Sequence, residues 1–146
     1  MTEETFTAYD IRGKIESGVS LEVAWNIGKA LADMLSTYGT VAVMRGEGAA
    51  DVLTNALIEG LRLQGRDVVD TSLGTKDALI AYITANQLSG GVLVAHDSQE
   101  DVCVIELYNE KAELISNENG LQAIAELVHG GNFVPAAEKG ELTQLA

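Results

Sequence analysis

Short apolar runs rich in β-branched residues recur along this chain at intervals that leave room for one helix, and that alternation constrains the fold most. Val41-Ala42-Val43-Met44, Val68-Val69 and Val92-Leu93-Val94-Ala95 each read as a buried strand. Helical stripes separate them. Leu21, Ala24, Ile27, Gly28, Leu31, Met34, Leu35 and Tyr38 recur at spacings of three and four behind an N-cap candidate, Ser20, and ahead of Gly39. Leu53, Ala56, Leu57, Gly60 and Leu61 form a second stripe within residues 51–64, ended by Gly65. Leu79, Ile80 and Ile83 form a third behind Thr75. Strand followed by helix, repeated, predicts parallel pairing through helical crossovers.

The period changes after Ala95. Residues 102–108, then Asn109-Glu110, then residues 112–115 read as a hairpin, so the sheet is expected to be mixed. A last helix is expected to start at Ser116 or Asn117, with Leu121, Ile124, Ala125 and Val128 inward and Gly130-Gly131 at its end. At the other end, residues 6–9 read as a short extended run ahead of a turn at Asp10-Ile11-Arg12-Gly13. The resulting expectation is one α/β domain over residues 1–131, with 132–146, which holds the only proline, Pro135, as a tail.

With 22 acidic and 9 basic residues the formal charge is −13, so the surface field disfavours nucleic acid and anionic membrane. No apolar run approaches the roughly eighteen residues of a membrane span, and residues 1–4 lack the basic start of a signal peptide. A cytoplasmic protein is expected. Cys103, between Val102 and Val104, is the single cysteine and reads as a buried reduced thiol.

Ala8-Tyr9-Asp10-Ile11-Arg12-Gly13 resembles the opening motif of the phosphohexomutases, the phosphoglucomutase/phosphomannomutase family. Further phrases follow in the family's order: residues 23–35 resemble its first helix, residues 55–61 and 65–70 its next helix and strand, and Gly90-Gly91-Val92-Leu93-Val94 the strand before its serine loop. The resemblance spans about residues 7 to 130. It implies a three-layer α/β/α sandwich with a mixed, mainly parallel sheet, like phosphoglucomutase domain I. It also implies Tyr9, Arg12, Arg45 and His96 as substrate-binding positions.

Two departures bear on activity. The family's loop reads roughly T-[AG]-S-H-N-P, with a serine that carries the phosphoryl group. Here Val94-Ala95-His96-Asp97-Ser98-Gln99-Glu100-Asp101 aligns His96 with the motif histidine and leaves no serine at the carrier position. Ser98 is the one hydroxyl in the loop, a weak candidate followed by Gln99, Glu100 and Asp101. The family's GRDGR phrase is replaced by Met44-Arg45-Gly46-Glu47-Gly48, which keeps one arginine. The family's metal-binding DGDxD phrase, from its second domain, is absent. The expected function is therefore a noncatalytic binding or assembly module, a stand-alone degenerate domain I. The alternative is a part of a mutase that needs further domains in trans, and only then would magnesium enter. Expected partners are a weakly held hexose phosphate, a protein, or a second copy of the chain.

The remaining motifs favour plainer readings. Adjacent His96, Asp97 and Ser98 cannot line up as a hydrolytic triad. His96 with Glu100 and Asp101 reads as a solvated acidic turn before a cation site, so no metal is assigned. Gly46-Glu47-Gly48 matches neither nucleotide-binding glycine pattern, and Glu47 and Asp51 oppose an anion there. His129 is expected to interact with the dipole of the last helix.

Overall fold

The computed structural model describes residues 5–15 and 17–145. Its sheet holds β1 (Ile11–Gly13), β2 (Val41–Arg45), β3 (Val68–Leu73), β4 (Gly90–Asp97), β5 (Val102–Tyr108) and β6 (Leu142–Gln144), in the order β1-β5-β4-β2-β3-β6. Strands β4, β2, β3 and β6 are parallel, while β5 and β1 run antiparallel to their neighbours. Helices α1 (Leu21–Met34), α2 (Asp51–Leu63) and α4 (Leu121–Gly130) cover the face carrying Val41, Val43, Val92, Val94 and Ile105. Helix α3 (Lys76–Asn86) covers the other face, with Leu79 and Ile83 against Ala42, Met44 and Leu93. This is the expected mixed, mainly parallel α/β/α sandwich. Among the described residues no helix is long and apolar enough to cross a membrane.

Helices α1 and α2 meet backbone to backbone. A Cβ on Gly28 would overlap the Leu57 carbonyl oxygen, and one on Gly60 the Trp25 carbonyl oxygen. The caps at Ser20 and Thr75 form as expected, each hydroxyl accepting from the backbone N–H three residues on. Helix α1 stops at Met34, however, short of the expected Tyr38. The reason is Arg66: its buried guanidinium donates to the carbonyls of Ala32, Leu35, Thr37 and Gly39, replacing the N–H groups of a further turn. Leu21, Met34 and Tyr38, expected inward, are exposed.

Three other elements are corrected. The extended run at residues 6–9 is a reversal tied by Thr7, whose hydroxyl meets the Asp10 carboxylate at 2.7 Å. The strand is Ile11–Gly13, inside the expected turn, and Phe6 contributes one isolated bridge to Ile11. The hairpin is β4–β5. Residues 112–115 add a single bridge, Leu114 to Tyr108, because the Asn109 side chain accepts from the N–H groups of Lys111 and Glu113 and curls that segment. Helix α4 begins at Leu121, because Asn119 accepts from Ser116 N–H and donates to Leu114 O, holding the preceding residues in a turn. Ala125, expected inward, is only half-buried. Beyond residue 131 the chain returns to the sheet edge, where β6 pairs with β3.

Candidate functional site

Ligand sites of open α/β sheets lie beyond the C-terminal ends of the parallel strands, here the ends of β2, β3 and β4. Strand β4 turns directly into β5: Asp97 pairs with Val102, and Ser98, Gln99, Glu100 and Asp101 make the turn. The Asp97 carboxylate accepts from Gln99 N–H at 2.9 Å and Glu100 N–H at 3.3 Å, and Asp101 closes the turn with φ 56°. Ser98 is exposed at the tip.

Alternation along the strands separates the expected substrate contacts. His96 follows Val92 and Val94 on the face covered by α1, α2 and α4, and Arg45 follows Val41 and Val43 there. Arg12, next to the buried Ile11, points to the opposite face. Tyr9 is exposed on the reversal before β1. Arg45 and His96 thus share a face, whereas Arg12 lies across the sheet from them.

Arg12, Arg45 and His96 each already have acidic company. Arg12 meets the Asp10 carboxylate at 2.9 Å, with Asp97 and Glu100 each at 3.7 Å, and the hydrogen bond to Asp10 drives its pKa above the ordinary arginine value. Arg45 donates to Asp70, Asp51 and Asn55, each at 2.8 Å, and its pKa too is raised, chiefly by the hydrogen bond to Asp70. Burial pushes the Asp70 carboxyl up, but the bonds from Arg45 and Ser72 N–H outweigh it and hold the pKa below the ordinary value. His96 Nε2 lies 2.9 Å from Asp101. The 46–48 loop packs on β4, with Gly46 N–H donating to Val94 O at 2.7 Å and His96 N–H to Glu47 O at 3.1 Å. Gly48, at φ +73°, sits against the His96 side chain.

Cys103 is buried on the α1, α2 and α4 face beside His96, and burial raises its thiol to about 11. A shallow cleft of about 290 Å³ is lined by Lys14, Ile15, His96, Asp101 and Cys103. A second of about 330 Å³ runs between Arg12, Lys14 and Glu100. Lys14 borders both. Among the described residues no three His, Cys, Asp or Glu side chains gather in a group able to hold a metal ion. His129, in the last turn of α4, lies with its ring tilted 42° against Phe6 at 6.3 Å.

Sequence reasoning missed Asp10 and Asp70 as partners of the two arginines. For Asp10 a signal existed, since residues two apart on an extended segment share a side. Asp70 is brought near Arg45 by the β2–β3 pairing, which no local pattern reveals.

Residues 3–134 match the family described as phosphoglucomutase/phosphomannomutase, alpha/beta/alpha domain I. The chain belongs to that family. A phosphomannomutase from Salmonella typhimurium is 31% identical over 150 aligned positions, which cover 100% of this chain and 33% of that protein. A phosphomannomutase from Klebsiella pneumoniae is 31% identical and is covered over 96% of its length. The crystal structure of a phosphoglucomutase/phosphomannomutase family protein from Burkholderia thailandensis superposes with a TM-score of 0.78 at 24% identity, covering 99% of this chain and 33% of that one. The phosphohexomutase domain I described here thus spans about a third of the Salmonella and Burkholderia proteins.

Proposed function

We propose that this phosphohexomutase domain I is a noncatalytic binding or assembly module that carries no phosphoryl group. The observation that supports the reading is the Asp97 clamp: the N–H groups of Gln99 and Glu100, the two residues that follow Ser98, are spent on a carboxylate. A phosphate on Ser98 would sit among Asp97, Glu100 and Asp101, whose charges repel it. Arg12 and Arg45, held by carboxylates, would have to exchange those partners to grip a hexose phosphate, so its binding is weak. The test is incubation with phosphate-labelled glucose 1,6-bisphosphate, followed by mass spectrometry of residues 97–101. No stoichiometric label is expected, and a full equivalent of phosphate on Ser98 would overturn the reading.

A second reading has one specific support: the Klebsiella pneumoniae protein matched over 96% of its length is called a phosphomannomutase, so that name attaches to a chain of about this size. In that reading the chain supplies domain I to a mutase whose other domains come in trans, Arg12, Arg45 and His96 are the residues that matter most, and magnesium is held by the partner. Mixing it with a phosphomannomutase lacking domain I discriminates. Restored turnover supports the trans arrangement; absence of both turnover and complex removes it.

A further inference from the structure

We propose that residues 133–145 form an exchangeable strap and that the β3 edge accepts the same strap from a second copy of this chain, giving a strand-exchanged dimer. This names one partner for the assembly role above, and it stands apart from the question of phosphoryl transfer. The strap crosses the end of α2 and the β3 edge through main-chain bonds: Ala136 N–H to Leu63 O at 2.9 Å, Gly140 N–H to Arg62 O at 2.8 Å, Val68 N–H to Glu141 O at 2.8 Å and Leu145 N–H to Asp70 O at 3.0 Å. Arg62 Nε returns a bond to Gly140 O, and Ser72 Oγ donates to Leu145 O. Gly140 fits where no side chain would, since a Cβ there would overlap the Arg66 carbonyl.

The receiving groove is therefore specific in shape and donors, yet the strap brings little apolar surface to it. Phe133 packs on the core, while all three residues of β6 are exposed. Such a segment opens at small cost compared with the core strands. The connection from α4, Gly130 to Asn132, is exposed. A Cβ on Gly130 or Gly131 would meet nothing within 4 Å. Exchange would rebuild every one of these bonds between copies and change only the three hinge residues, which is why exchange of an identical element is a low-cost route to a dimer. A short hinge favours it further. The closed form competes through an effective concentration on the order of millimolar, so dimers should accumulate as protein concentration approaches that range. The charge of −13 on each copy opposes the approach, so added salt should raise the dimer share.

The test traps the β3–β6 pair. Val69 and Thr143 are Cα partners in that register. Val69→Cys with Thr143→Cys in a Cys103→Ala background, oxidised at low micromolar concentration, should give monomers with an internal disulfide. Incubation near millimolar before oxidation should give covalent dimers on a non-reducing gel. Internal disulfides alone at every concentration would overturn the proposal. The unaltered chain, incubated the same way and then diluted into native mass spectrometry, should show a dimer. A monomer alone would equally overturn it.

Discussion

At the α1–α2 crossing Gly28 and Gly60 bring two backbones into contact, whereas around the β4–β5 turn the residues from Ser98 to Asp101 are all exposed and are bonded to Asp97 and His96. The crossing admits one solution, because a close backbone approach leaves no volume for any side chain. The strand ends are held by short polar contacts and by ion pairs such as Arg45 with Asp70 and Asp51. Polar groups of that kind can be exchanged without repacking a core. Fold and chemistry are thus carried by different parts of this molecule, and one can change while the other stays.

The largest test of that contrast is at the crossing. Gly28→Ala or Gly60→Ala should each cost about 3 kcal/mol by urea unfolding, at the upper end for overpacking, since the obstacle is a backbone carbonyl. A cost near zero would mean that the helices can slide apart.

A middling effect is expected at Asp70, which is buried within β3 and holds Arg45 at the end of β2. Asp70→Asn should cost about 1.5 kcal/mol near neutral pH by weakening the bonds to Arg45. The folded carboxyl titrates below its ordinary 3.8, so its contribution is complete above that value and drains as the pH falls through the lower folded pKa. Acid titrations of stability for the two proteins should converge over that window. Curves that stay parallel there would show that Arg45 draws little from Asp70.

The smallest effect belongs to the turn. Ser98→Ala should shift stability by less than about 0.5 kcal/mol, because its exposed hydroxyl makes no hydrogen bond among the described residues. A loss above about 1 kcal/mol would place Ser98 in the packing and break the comparison.

Much of the layer order was legible in the chain. The apolar runs at Val41, Val68 and Val92 and the stripes on α1, α2 and α3 follow from periodicity, and Gly28 and Gly60 already lay on inward stripes. The misread elements share a cause. Arg66 ends α1 from about thirty residues away in sequence, Asn109 and Asn119 hold turns where strand and helix were expected, and β6 forms because β3 offers an open edge. The candidate site was legible as residue identities and not as an arrangement. Arg12, Arg45 and His96 stood out by type, but whether they face one another depends on strand alternation and pairing.

By itself the sequence determined the alternation of strand and helix, the helix caps at Ser20 and Thr75 and the burial of Cys103, because each follows from local propensity or from the apolar period. Only the tertiary structure decided which carboxylates neutralise Arg45, that Arg12 and His96 lie on opposite faces, and that the last residues strap the β3 edge. Those outcomes depend on register and on contacts between residues far apart in the chain, which no window of sequence contains.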